Sequence, residues 1–261
     1  MDSLCLLVRV AFLIRFAFGW RSAFGFAQGR LFSAANKPSL SARALQPLRD
    51  SAPSRYNKGV SENAIEQVAS ADFPTRWGKF RIYGFRQHLA SDAVEEAVAL
   101  VTGDIKSAPP LVRIHSQCLT GDVFHSLRCD CRQQLELSLS MMREEGAGIL
   151  IYEQQEGRGI GLMAKLQAYE LQDSGLDTVE ANERLGFKND YRDYTLPAEM
   201  LKALGVTRVR LLSNNPEKVE ALERAGVHVV ERVPCEVVPS PHAEEYLKTK
   251  KEKLGHLFTS S

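Results

Sequence analysis

From residue 111 onward, short apolar runs alternate with helical patterns, and this alternation constrains the fold more than any other feature of the chain. LVRIH (111–115) opens the series, and GILIY (148–152) has the length and β-branching of a short buried strand. Between them the spacing predicts a helix from about Arg132 to Glu145, which Gly146 can terminate. A glycine-rich turn follows GILIY, and a second helix is expected from about Leu162 to Asp173. RVRLL (208–212) repeats the unit: Ser213, Asn214, Asn215 and Pro216 supply an N-cap and first-turn proline, the helix runs to Arg224, and Gly226 closes it before the strand VHVV (227–230). Strands alternating with helices of this length predict an α/β fold, three layers in α/β/α order around a mixed sheet covered on both faces.

The first 60 residues differ from the rest in charge. They hold nine Lys and Arg against Asp2 and Asp50 alone, which leaves 24 of the chain's 33 basic and 30 of its 32 acidic residues for the remainder, a net of −6 there. A body that acidic is a poor match to a phosphate backbone, so nucleic acid is not expected as a partner. Residues 1–36 are rich in Arg, Phe, Ala and Ser and nearly free of acid, the composition of a targeting presequence. Arg9 and Arg15 interrupt its apolar stretches, which fall short of the roughly 20 residues a membrane span requires. The expectation is a disordered presequence that sends the chain to an organelle, the plastid ahead of the mitochondrion, with the cytosol as the alternative and no membrane contact in the mature form. Residues 37–63, polar with prolines and serines, read as a linker, and the fold should begin near Ala64.

Three of the five cysteines cluster: Cys118, Cys129 and Cys131, the last two flanking Asp130 just before a predicted helix. A disulfide between Cys129 and Cys131 would close a very small strained ring. Zinc explains the pattern better, because a borderline-soft dication prefers thiolates, and three of them leave a fourth tetrahedral position for water. Buried, inert cysteine is the alternative. Cys5 lies in the presequence, and Cys235 reads as packing.

Glu156-Gly157-Arg158-Gly159-Ile160-Gly161 stands between a strand and a helix, where backbone N–H groups and the helix end can receive an anion and Arg158 can hold phosphate oxygens. Its spacing is neither that of the Walker A loop nor of the dinucleotide fingerprint. A tight turn whose glycines only allow positive φ is the bland reading. Ser213, Asn214, Asn215 and Lys218 form a second candidate anion site, or else an N-cap serving structure alone. Asp190, Arg192 and Asp193 are close enough to be solvated ion pairs, and Tyr169, four residues after Lys165, shares a helix face with it, ordinarily as core.

Taken together, RIHSQCLTGDVFHSLRCDCRQQLE, QEGRGIGL, DTVEANERLGF, DYRDYTL and LLSNNPEKVEAL resemble, in order, the successive motifs of GTP cyclohydrolase II, and the closing EYLKTKKEKLGHLF is similar too. The resemblance implies a catalytic domain over residues 64–258. It implies that Cys118, Cys129 and Cys131 hold one Zn2+ per subunit with water completing the shell. GTP would lie against Arg113, Ile114, His115, Ser116 and Gln117, with Gln134, Glu156, Gly157, Arg158, Thr178, Ser213 and Lys218, and Mg2+ would accompany the triphosphate. Asp190 would take the family's general-base role, Arg192 that of a nucleophile on the α-phosphorus, and Tyr169 would orient the water or the ring. A guanidinium with a pKa above about 12 is a poor nucleophile, so a charge clamp is the alternative for Arg192.

The implied activity is that of a hydrolase acting on cyclic amidine C–N bonds. It converts GTP to formate, pyrophosphate and 2,5-diamino-6-hydroxy-4-(5-phosphoribosylamino)pyrimidine, the first step of riboflavin biosynthesis, in a homodimer. Gln117, Arg132 and Gln154 depart from the usual Glu, Gly and Arg of the family and bear on nucleotide positioning. The competing readings are a nucleotide-binding regulatory module without turnover, a zinc module on nucleic acid, and another purine hydrolase of the same fold.

Overall fold

The computed structural model describes residues 64–91, 93–188, 190–237, 255 and 257. The expected presequence and linker, and most of the family-like close of the chain, lie outside the described residues. Seven strands, β1 (Ile65–Thr75), β2 (Gly78–His88), β3 (Val94–Thr102), β4 (Leu111–Ser116), β5 (Gly148–Glu153), β6 (Arg208–Leu212) and β7 (His228–Val233), form one sheet in the order β1-β2-β3-β5-β4-β6-β7. The run from β1 through β3 to β5 pairs antiparallel, whereas β5, β4, β6 and β7 pair parallel. The expected mixed sheet is therefore observed.

The three helices that the spacing predicts are present as α2 (Cys131–Glu145), α3 (Leu162–Asp173) and α6 (Pro216–Arg224), and three that it does not predict accompany them: α1 (Leu119–Asp122), α4 (Thr178–Arg184) and α5 (Thr195–Ala203). Gly146 ends α2 at φ 74°, a left-handed cap that glycine adopts without steric cost, and Asn215 caps α6 by accepting the Glu217 N–H at 3.0 Å. Asp177 and Glu180 form a reciprocal capping box at the start of α4.

Alternation along the parallel strands divides their side chains between two cores. Val112, Ile114, Ile149, Ile151 and Leu211 face one side, where they pack with Leu196, Met200 and Leu201 of α5 and Leu222 of α6. Leu111, Leu150 and Leu212 face the other, against Leu139 and Met142 of α2. Each such side chain contributes about 1.5–3 kcal/mol on burial, which is why the sheet is sandwiched in three layers. The chain leaves β4 through α2 to reach β5 on one side, and later returns as β6 on the other side of β4. A crevice opens at the carboxyl ends of parallel strands where the order reverses in this way.

Candidate metal and nucleotide site

A cavity of about 840 Å³ occupies that crevice. Cys118 lies two residues beyond β4, Cys131 opens α2, and Cys129 immediately precedes the N-cap Asp130. Their sulfurs all lie within 4.8 Å of one another, and Cys118 Sγ is 3.7 Å from Cys129 Sγ. Thiolates bound at about 2.3 Å to one tetrahedral ion would be separated by about 3.8 Å, so the donor set fits zinc. The backbone makes room for it. A Cβ on Gly121 would sit 2.9 Å from Cys129 Sγ and 3.1 Å from Cys118 Sγ. This is the only such ligand cluster among the described residues.

The electrostatics of the three sulfurs are uneven. The Cys129 and Cys131 thiols, donating to Cys118, hold it far below the ordinary thiol range, and the Lys165 ammonium assists. The same sharing pushes Cys129 up to about 11 and Cys131 well above the usual value. A dication held by the three sulfurs would replace both protons. Asp122, buried one turn after Cys118, accepts the Cys118 N–H at 3.0 Å and the Tyr152 hydroxyl at 2.9 Å, and lies 3.1 Å from His115 Nε2. Burial lowers the His115 pKa against the raising effect of Asp122, and its ring stacks on Tyr152 with centroids 5.5 Å apart. Tyr169 Oη meets Thr120 Oγ1 at 3.2 Å, which puts this phenol on the cavity wall beside the cysteines, and burial raises its pKa.

Cationic groups line the rest of the cavity. The glycine-rich segment is a tight 3-10 turn, Glu156–Gly159, in which Gly157 (φ 62°), Arg158 (φ 61°) and Gly159 (φ 88°) are all left-handed. Glycine tolerates this, but Arg158 does so at about 1–2 kcal/mol, and such strain collects at functional sites. Arg113 reaches across to Gln134 Oε1 at 2.6 Å and to the Leu212 carbonyl at 3.0 Å. Lys218 donates to the Ile114 carbonyl at 2.8 Å. Its pKa is pushed well below the usual lysine value, by burial first and then by the Arg113 and Arg192 charges. Arg192 is tied to Asp190 through Nε at 2.9 Å and through Nη2. Burial would lower its pKa, but this pairing raises it above the ordinary value.

Most residues that the resemblance singles out line this one cavity: Arg113, His115, Ser116, Gln117, Gln134, Glu156, Gly157, Arg158, Thr178, Ser213, Lys218, Tyr169, Arg192 and the three cysteines. Two do not. The Ile114 side chain is fully buried in the core shared with α5 and α6, and only its carbonyl turns to the site. Asp190 stands behind Arg192 instead of on the wall. Asp190 and Arg192 are also more buried than a solvated pair, at 20% and 13% exposure of their side chains. The Glu156 carboxylate is committed internally, accepting from Lys165 at 2.7 Å and from the Leu119 N–H at 2.7 Å. Of the departures from the family pattern, Arg132 donates to the Asp122 carbonyl at 2.6 Å, Gln117 gives its N–H to the Glu153 carbonyl, and Gln154 is exposed.

Asp122, Lys165 and Glu153 were not singled out as site residues by the sequence. Asp122 carries a local signal, since a residue four after Cys118 in a helical turn can meet its N–H. Glu153, buried and accepting from Ser116 Oγ at 2.6 Å, has no signal beyond its place at the end of a strand.

The family model for GTP cyclohydrolase II matches residues 66–234. The chain is 57% identical over 195 residues to GTP cyclohydrolase-2 of Escherichia coli O9:H4 (strain HS), an alignment covering 74% of this chain and 98% of that protein. It is 54% identical over 199 residues to riboflavin biosynthesis protein RibBA of Aquifex aeolicus (strain VF5), covering 76% of this chain but only 48% of that longer protein. A family model matching well over half of the chain, and a relative matched over nearly its full length, establish that this chain belongs to the GTP cyclohydrolase II family.

Proposed function

We propose that the chain hydrolyses GTP to formate, pyrophosphate and 2,5-diamino-6-hydroxy-4-(5-phosphoribosylamino)pyrimidine, opening riboflavin biosynthesis, with Zn2+ on Cys118, Cys129 and Cys131 and Mg2+ accompanying the triphosphate. The observation that carries this reading is the convergence of a three-sulfur cluster and a set of buried cations on one cavity. When bound, zinc supplies the Lewis acidity and water activation that ring opening at C8 requires. Tyr169, beside the cluster and protonated at neutral pH, donates a hydrogen bond towards the reacting end of the purine. Arg158, Arg192, Lys218 and Ser213 receive the phosphates, and an anion there offsets the burial and, after it, the Arg113 and Arg192 repulsion that depress Lys218.

Arg192 acts as a charge clamp in this proposal and not as a nucleophile, because its raised pKa keeps it protonated. Asp190 then orients Arg192. Burial pushes the Asp190 carboxyl up, but the guanidinium bonded to it more than offsets this, which leaves a weak base. We also propose that residues 1–36 are an organellar address, for the plastid ahead of the mitochondrion, and that the enzyme acts as a homodimer.

The test is incubation of the zinc-loaded chain with GTP while formate, pyrophosphate and diaminopyrimidine absorbance are followed. All three products are expected from the native chain. Cys129→Ser should lower formate release by more than about a hundred-fold, because losing a ligand removes the Lewis acid outright. Undiminished formate from metal-free protein rejects the mechanism, and GTP binding without formate selects the regulatory module.

A further inference from the structure

We infer that Lys165 is a positioning residue of the cysteine cluster: its fixed positive charge on Cys118 Sγ sets how strongly that thiolate donates to a bound metal, with Glu156 as its anchor. The inference rests on the metal centre proposed above and extends it to residues outside the ligand set. Lys165 projects from the first turn of α3, and its Nζ lies 3.2 Å from Cys118 Sγ and 2.7 Å from Glu156 Oε1. Both side chains are nearly sealed, at 12% and 8% exposure. Glu156 is fixed in turn, since its other oxygen accepts the Leu119 N–H at 2.7 Å and Oε1 also accepts the Gly157 N–H at 3.1 Å. The contact to sulfur therefore does not depend on a mobile side chain. It joins the glycine-rich turn, α3 and the residue after Cys118 in one closed path.

The charge count gives this path a purpose. Three thiolates and a divalent ion carry a net charge of −1, which is costly in a partly buried site. An ammonium 3.2 Å from one sulfur offsets that charge locally, while the Glu156 carboxylate, which returns the sum to −1, is held by the Leu119 and Gly157 N–H groups. Hydrogen bonds to a thiolate also withdraw electron density, so the ligand set leaves more Lewis acidity on the metal than three bare thiolates would. A Lys165–Glu156 pair serving packing alone has no need of the sulfur. The ammonium also lies 5.7 Å from the Tyr169 ring, on the side of the cluster that faces the cavity.

Cobalt substitution in the full chain reads the sulfur directly, because the sulfur-to-cobalt charge-transfer band reports thiolate donor strength whether or not GTP turns over. The native chain, Lys165→Arg and Lys165→Met should each bind one cobalt. In Lys165→Met, which keeps the length and removes the charge, the band should move to lower energy. In Lys165→Arg it should stay at the native position. With zinc, Lys165→Met should lower kcat for formate release by about ten-fold or more, with KM for GTP unchanged within about two-fold. A native-position band in fully loaded Lys165→Met, or a band in Lys165→Arg displaced as far as in Lys165→Met, overturns the inference. If Lys165→Met takes up no cobalt, Lys165→Gln decides. It removes the charge but keeps a polar head, so a band at lower energy supports the inference and an unmoved band overturns it. A native chain that binds no cobalt refutes the metal centre itself, an outcome distinct from failure of the Lys165 role alone.

Discussion

Asp190 and Arg192 illustrate how a single pair of residues changes meaning once its surroundings are known. In sequence they are two charges in a polar loop, and in the structure they are a largely enclosed pair whose guanidinium faces the cavity while its carboxylate stands behind. Asp190→Asn should therefore destabilise the fold at neutral pH by about 1.5–3 kcal/mol, the range for a hydrogen bond to a charged partner. The pH dependence has a definite sign. The folded carboxyl titrates below its ordinary value of 3.8, so its stabilisation is fully present above that value and is lost as pH falls through the lower folded one. Chemical denaturation of both proteins at several pH values should show a full difference at pH 7 that closes below 3.8. A difference constant down to acid pH would contradict the pairing.

At the scale of elements, the four-residue helix α1 matters because it returns the chain from Cys118 towards Cys129 and Cys131 with a glycine at the point of closest approach. Its helical backbone accepts alanine as readily as glycine. Gly121→Ala should therefore leave secondary structure intact by circular dichroism, while the added methyl crowds Cys129 Sγ, 2.9 Å away, and weakens metal affinity by about ten-fold or more. Unchanged affinity in competition with a chelator would show that the loop yields and that the glycine is not needed. The elements also differ in how legible they were. Strands β4, β5 and β6 and helices α2, α3 and α6 announce themselves through β-branched runs, caps and terminating glycines, all of which are local. Strand β1 does not. Eight of its eleven residues are exposed, so no buried face imposes an apolar alternation on Ile65–Thr75.

For the whole molecule, the division of charge along the chain and the exposed apolar side chains suggest how it travels and assembles. Residues 1–60 carry nine basic residues against two acidic, while the remainder is acidic. A reporter fused to residues 1–63 should enter plastids, and accumulation in the cytosol would refute the address. Val123, Phe124 and Leu127, between α1 and α2, are 56%, 71% and 54% exposed, which is apolar surface of the kind that interfaces cover. Sedimentation at micromolar concentration should give twice the chain mass of 29.1 kDa, and a single-chain mass would refute the homodimer.

The sequence by itself determined the α/β class, the helix ends on either side of the crevice and the grouping of three cysteines, because periodicity, caps and ligand spacing act over a few residues. Only the tertiary structure decided that β5 and β6 flank β4, which brings Arg113, Arg158, Arg192 and Lys218 around one cavity and sets Lys165 against Cys118. Those contacts join residues 47 to 104 positions apart. They depend on the order of strands in the sheet, which is settled by packing both faces of the sheet at once and leaves no mark on any short stretch of chain.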